Sequence, residues 1–344
     1  MHCHLTAPTR SSAPTRSTAL RAALSVTLSA TLGLPAATAF AQGAAAFPAK
    51  PVTLVIPFAP GGPVDIEARR HAARLTDILG QSVLLDYKPG AGETIGSHYV
   101  AKSAPDGYTL LVGSASFTIN PHLYASLPYD VMKDFAPVSL VSQRGSMLLV
   151  HPSFPANNLQ ELIAYARNNP GKLNWGTTGP GSISHLSGAW LLNAAGVKAT
   201  LIHYKGAGPA QIDLVAGRTD VGSLTVLASQ ALVKAGKSRV LAAMSAQRSK
   251  VFPDVATVEE QGLNGYAAAS WFGILAPAAT PAATVNRLSE GFARTVKSPD
   301  VAGPLEAEGI TLVGSTPTQF RQMLVTELDR WGKVVKENGI KLEQ

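Results

Sequence analysis

The chain has 344 residues, enough for one large or two medium domains, and 46% of them are apolar against 15% charged. That balance excludes a disordered chain and supplies a sizeable core. The formal charge of +7 comes without a Lys/Arg cluster, so it offers little for nucleic acid and only a weak long-range attraction for anionic small molecules.

Residues 1–41 stand apart. Arg10, Arg16 and Arg21 form a basic start without an acidic residue, and 22–34 is an apolar, small-residue stretch too short to span a bilayer well. Ala39-Phe40-Ala41 fits a small-x-small cleavage site. The three parts read as a secretory signal peptide over 1–41, with Gln42 opening a periplasmic mature chain. The alternative is an Ala/Ser/Thr-rich disordered tail. Cleavage removes three arginines and lowers the formal charge from +7 to +4. It also removes Cys3, the only cysteine, which precedes the apolar stretch and so is not placed as a lipid anchor. The mature chain then has no thiol, disulfide or cysteine metal site.

The stretch 51–80 organises the remainder. Residues 52–56 (VTLVI) are an apolar, β-branched run, as in a strand buried on both faces. The loop Pro57-Phe58-Ala59-Pro60-Gly61-Gly62-Pro63 follows. Its glycines allow close backbone approach, and Pro63 suits the first turn of a helix. Asp65 puts negative charge at the positive end of that helix. Val64, Ala68, Ala72, Leu75 and Leu79 give it one apolar face, and Gly80 ends it. Free N–H groups at such a loop suit an anion, although many βα loops carry Gly and Pro only to turn.

Strands then follow at 82–86 and 108–112, with a helix at 94–102 between them. The hydroxyl-rich loop 113–118 holds Ser114 and Ser116, donors to a carboxylate or simple cap residues. Apolar strand material at 138–141 and 147–150 precedes a helix at 159–168 capped by Asn158. A strand at 173–175 runs into 176–185, which contains Thr177, Thr178, Ser182 and His185, then a helix to 195. His185 is a possible ligand donor, but in a first turn it reads better as a packing or capping group. A strand at 199–204 enters Lys205-Gly206-Ala207-Gly208-Pro209 and a helix at 210–216. Strands at 220–225, 239–245 and 270–277 and helices at 227–235, 282–297, 301–308 and 318–337 complete the chain. The alternation predicts an α/β protein of two domains with mostly parallel sheets.

Catalytic and cofactor motifs are missing. There is no H-E-x-x-H, G-x-S-x-G or P-loop lysine, and the eight histidines show no metal-ligand spacing. Gly90, Gly92 and Gly96 form G-x-G-x-x-x-G, one residue longer than the dinucleotide fingerprint, with no acidic residue where a ribose would need one. A turn with close helix packing accounts for it, and no cofactor or metal is expected.

Several segments resemble one family, the extracytoplasmic solute receptors of tripartite tricarboxylate transporters, or Bug receptors. They are KPVTLVIPFAPGGPVD at 50–65, LGQSV at 79–83, KPGAG at 88–92, APDGYTLL at 104–111, INPHLY at 119–124, LPYD with KDFAPVSLV within 127–141, NPGKLNWG at 169–176, YKGAGPA at 204–210 and SWFGILAP at 270–277. The resemblance implies a type II periplasmic-binding-protein fold, α/β, with two lobes joined by two crossover strands and a ligand cleft between them. Lobe 1 would be 47–145 plus 271–344 and lobe 2 would be 146–270. It implies a monomeric, non-enzymatic receptor that closes on a small carboxylate and delivers it to membrane transporter subunits. Ligand contacts carried over are Phe58, Ala59, Pro60, Gly61, Gly62, Asp65, Ser114 and Ser116 from lobe 1. From lobe 2 come Thr177, Thr178, Ser182, Tyr204, Lys205, Gly206 and Thr225. Three positions depart from the family pattern: Leu224 replaces an aspartate, Leu227 a proline, and Tyr87-Lys88 an asparagine–arginine pair. Leu224 would make the distal end of the pocket more apolar. A sensor for a membrane signalling protein, or an enzyme on this fold, are the competing readings.

Overall fold

The computed structural model describes residues 47–341; the expected signal peptide and Cys3 lie outside them. Strand β1 (Val52–Ile56) leads into helix α1 (Pro63–Leu79) and β2 (Val83–Tyr87). A 3₁₀ turn at Ala91–Glu93 opens α2 (Thr94–Ala101), followed by β3 (Thr109–Gly113) and α3 (Ala115–Leu123). The long strand β4 (Phe135–Val150) carries the chain to α4 (Leu159–Asn168), β5 (Asn174–Thr177), α5 (Ile183–Ala195) and β6 (Thr200–His203). Then come α6 (Ala207–Val215), β7 (Val221–Thr225), α7 (Val226–Lys234) and β8 (Arg239–Ala243). The return strand β9 (Ala269–Pro277) precedes α8 (Ala282–Thr295), α9 (Pro299–Ala307), β10 (Ile310–Leu312) and α10 (Pro317–Glu337).

Strand alternation explains why β1, β3 and β9 are apolar throughout. Val52, Leu54 and Ile56, Leu110 and Val112, and Phe272 and Ile274 enter one core cluster with Leu75, Leu288 and Phe292. Val55, Leu111, Trp271 and Leu275 enter another with Phe117, Phe320 and Trp331. Successive side chains point to opposite faces, and helices cover both: α1 and α8 on one side, α3 and α10 on the other. Two caps expected from sequence are present: Gly80 is left-handed at the end of α1, and Asn158 accepts from the Glu161 N–H at the start of α4. Thr316 with Gln319 adds a capping box before Pro317.

Strand β4 belongs to two sheets. Up to Gly145 it pairs with β9 and β10, and from Ser146 it pairs with β7 and β8. The pairings β1–β2, β1–β3, β5–β6 and β5–β7 are parallel, whereas every pairing of β4 and β9 is antiparallel. The expectation of mostly parallel sheets is therefore corrected. Strands that cross between sheets run one way through both, so they lie antiparallel to their neighbours. The two apolar stretches of 135–150 are likewise one strand, α3 begins inside the stretch 113–118 expected as a loop, and β10 is a strand in the part beyond 281 expected to be mainly helical. This is the type II periplasmic-binding-protein fold, two lobes joined by crossover strands.

Register brings the loops together. Gly113 at the end of β3 lies level with Gly273 and so with Leu140 of β4, while Thr225 at the end of β7 pairs with Ser146. The strand ends of both halves point at the crossing. They are separated along β4 by six residues, about 20 Å at ~3.3 Å each. Glu67 of α1 fixes this region: buried, it accepts from Ser142 and binds the Arg144 guanidinium at 2.5 Å, just before the crossing.

Candidate functional site

The first set of loops is ordered by Asp65. Its carboxylate, 2% exposed, accepts from the Gly61 N–H at 2.7 Å, Tyr87 Oη at 2.6 Å and Arg69 Nε at 3.1 Å. Burial opposes its ionisation, but these hydrogen bonds and the Arg69 charge outweigh burial and hold the carboxyl below its usual range. Gly61 sits at φ +84°, where a side chain is strained. Gly62, at φ −79°, is the extended cap of α1 and needs no special conformation. The N–H groups of Ala59 and Gly62 have no protein acceptor among the described residues, and the first helical bond runs only from Ile66 N–H to Gly62 C=O. Pro60 offers no donor, and Phe58 is half-buried beside the core of the first sheet.

Asp65 and Ser114, both expected as ligand contacts, are buried and hydrogen-bonded within the protein. Ser114 is 6% exposed and caps α3, and its own N–H and hydroxyl bind Glu93 Oε1 and Oε2 at 3.1 and 2.8 Å. Ser116, half-buried, gives its N–H to Ser114 Oγ, and its hydroxyl has no partner among the described residues.

The second set is also held by its hydroxyls. Thr177 is fully buried and its Oγ1 meets His203 Nδ1 at 2.7 Å. Thr178 N–H donates to Ser184 Oγ at 2.7 Å, and Ser182 Oγ donates to the Gly179 carbonyl at 2.7 Å. Tyr204 Oη donates to Asp213 at 2.7 Å, and burial, then Asp213, pushes the phenol up to about 12. The Gly206 N–H is taken by the Thr178 carbonyl. Thr225 is exposed and caps α7. Lys205 is exposed and makes no ion pair among the described residues. Leu224, expected to make the distal end of the pocket more apolar, is buried with Leu149, Leu214 and Leu232 in the core of the second half.

Two groups escaped the sequence reading. Glu93 is 1% exposed, left-handed at φ +87°, and pushed by burial up to about 8 despite its bonds to Ser114. An acidic residue inside a glycine turn was the available signal. His203 packs on His185, ring centroids 4.5 Å apart. His185 Nδ1 accepts from the Gly181 N–H at 3.1 Å, and burial, then His203, pulls it down to about 4. His185 is thus a neutral loop-ordering group.

No hydrogen bond joins the 58–62 loop or Ser116 to the loops of 177–206 among the described residues, and Ala59, Pro60, Gly61, Lys205 and Thr225 are exposed. Contacts between the halves lie elsewhere: Lys250–Glu306 at 2.9 Å, Asn193–Glu337 at 3.0 Å, and Trp190 against Trp331 with ring centroids at 6.0 Å. A cavity of about 430 Å³ is lined by Gln143, Trp271, Arg248, Lys250 and Arg330 and by none of the carried-over residues. Its cations are paired with Glu260, Glu306 and Glu327, leaving no spare charge there. No cluster of three or more His, Cys, Asp or Glu among the described residues is arranged for a metal.

The chain matches the family described as "Tripartite tricarboxylate transporter family receptor" over residues 67–340 and belongs to it. It is similar to the protein BugT of Bordetella pertussis, 36% identical over 301 residues that cover 86% of this chain and 92% of that protein. Among solved structures it is similar to R. palustris Rpa4515 with adipate, TM-score 0.73 and 36% identity, covering 86% of this chain and 100% of that one. It also resembles MatC (Rpa3494) from Rhodopseudomonas palustris with bound malate, TM-score 0.70 and 33% identity, over 84% and 100% of the respective chains.

Proposed function

We propose that this receptor captures a small carboxylate in the periplasm by lobe closure and hands it to the membrane subunits of a tripartite transporter, without catalysing a reaction on it. The observation that carries this reading is the pairing of spare donors across the crossing. The amino terminus of α1 presents the Ala59 and Gly62 N–H groups, and the second half presents the unpaired Lys205. Backbone donors, a helix dipole and one lysine make a one-anion clamp. Ser116 adds a hydroxyl, while Phe58, Pro60 and Gly61 shape the loop. Asp65, Ser114, Thr177, Thr178, Ser182, Tyr204 and Gly206 act one step back, by fixing the loops that touch the ligand. Thr225 offers its exposed side to the closed state. The ligands of the R. palustris relatives, adipate and malate, support a carboxylate of that size.

The lobes are 47–145 plus 271–344 and 146–270, the receptor acts as a monomer, and export removes 1–41. Mass spectrometry of small molecules released from the purified protein, followed by calorimetry with adipate and malate, tests the reading. A carboxylate is expected to bind and to shrink the radius of gyration in small-angle scattering. A receptor that binds neither probe and releases only non-acidic molecules refutes it. N-terminal sequencing of periplasmic protein is expected to start at Gln42.

A further inference from the structure

Glu93 is an acidic side chain in a place that costs free energy twice. Its backbone is left-handed at φ +87°, a region L-residues avoid. Its carboxyl is 1% exposed, where an ionised acid loses its hydration. What it gains is a two-point grip on one residue: Ser114 N–H to Oε1 at 3.1 Å and Ser114 Oγ to Oε2 at 2.8 Å. An external carboxylate is held the same way at a helix amino terminus. Ser114 caps α3 at the end of β3, and the turn bearing Glu93 precedes α2, whose Gly96 packs on Pro57 at the mouth of the α1 loop. Glu93 is therefore tied to the strand-end residue Ser114, and the helix that follows it packs against the start of the α1 loop.

The surrounding layer is polar and unsaturated. Thr94 Oγ1, Ser97 Oγ and Tyr129 Oη are buried without hydrogen-bond partners. Thr94, Ser97 and Asn120 gather round the Tyr129 hydroxyl, which feels the charge of Glu93.

We propose that Glu93 is a specificity-determining residue of the cleft: its carboxyl group is a built-in occupant of the anion position at the amino terminus of α3, so a ligand carboxylate is left to the α1 loop and Lys205. The inference rests on the carboxylate-receptor reading above. Two consequences follow. A ligand with a second carboxylate on the first-half side finds no donors there. And once Glu93 ionises, a fixed negative charge next to Ser114 repels any bound anion, so affinity falls on the alkaline side while ligand binding takes up a proton by reciprocity. Tyr129 is the other titratable group facing Glu93 among the described residues; burial pushes it up to about 12, and it stays silent in that window.

Calorimetry with adipate (two carboxylates) and hexanoate (one) on the full chain and on Glu93→Gln and Glu93→Gly tests this, over pH 7.5–9.5 to stay above ordinary imidazole titration. Glu93→Gly suits the left-handed backbone and frees Ser114. It is expected to raise the preference for adipate over hexanoate about tenfold. Affinity of the unmodified protein is expected to fall severalfold across the window, and that of Glu93→Gln to stay flat. An unchanged preference in folded Glu93→Gly, or parallel pH profiles for Glu93→Gln and the unmodified protein, overturns the inference. If Glu93→Gly does not fold, the Glu93→Gln profile decides alone. Failure of both probes to bind any of the three proteins overturns the carboxylate reading itself, and this inference with it.

Discussion

Replacing Glu93 by Gln alters stability in a pH-dependent way whose sign and size follow from its burial. The ordinary value of 4.5 is raised in the folded chain to about 8. Between those values the folded state holds a proton that the unfolded state has released. Stability thus falls as pH rises, with the full contribution present below 4.5 and lost by about pH 8. Each pH unit in that interval is worth about 1.4 kcal/mol, so the group removes on the order of 3–4 kcal/mol between pH 5 and pH 8. For a chain of ~300 residues that is a melting-temperature difference of roughly 5 °C. Gln keeps the shape, and its amide oxygen can still accept from the Ser114 N–H, but it cannot ionise. The quantity to measure is the stability of Glu93→Gln minus that of the unmodified protein, from urea denaturation at pH 5, 6, 7 and 8. It is expected to grow steadily with pH, while each protein alone also carries the titration of its other groups. A difference that is constant across the four pH values refutes the assignment of a raised, buried acid at this position, whatever its sign.

Three further outcomes concern the loops. Gly62→Val is expected to fold normally, because φ is −79° there and an added Cβ meets only the Ala59 carbonyl at 3.6 Å. It should lower carboxylate affinity about tenfold or more by blocking approach to the α1 amino terminus, and calorimetry alongside circular dichroism checks both halves. Lys205→Ala is expected to leave the denaturation midpoint unchanged and to weaken carboxylate binding severalfold, with a shallower salt dependence, since an exposed unpaired cation acts through its charge. Asp65→Ala is expected to cost ~2–4 kcal/mol in urea denaturation, because it strands the Gly61 N–H, Tyr87 and Arg69 together; a loss below 0.5 kcal/mol would mean that Asp65 does not order the loop.

Local chemistry was legible where one segment decides its own structure. The VTLVI run, Pro63 at the first turn of α1, Gly80 at its end and Asn158 before α4 each satisfy a local rule, and each stands where expected. The 113–118 hydroxyl stretch was harder. Ser114 reads more readily as a cap than as a ligand donor, and it is a cap. Its partner Glu93, 21 residues away, is invisible to any argument made within the loop.

The sequence by itself determined the α/β alternation, the glycine loops at strand ends, the motifs that mark the receptor family and the resulting two-lobed class. The alternation and the loops follow from periodicity and turn chemistry written along the chain, and the two-lobed class is what the resemblance to the receptor family implies. Only the tertiary structure decided which groups in those loops are spent and which are spare. The carboxylate of Asp65 takes the Gly61 N–H, Glu93 takes both donors of Ser114, Tyr204 gives its hydroxyl to Asp213, and Leu224 turns into the core. A donor can serve a ligand only if no nearer acceptor claims it, and those acceptors reach it across the fold, where side-chain direction and burial, not position in the chain, set the distance.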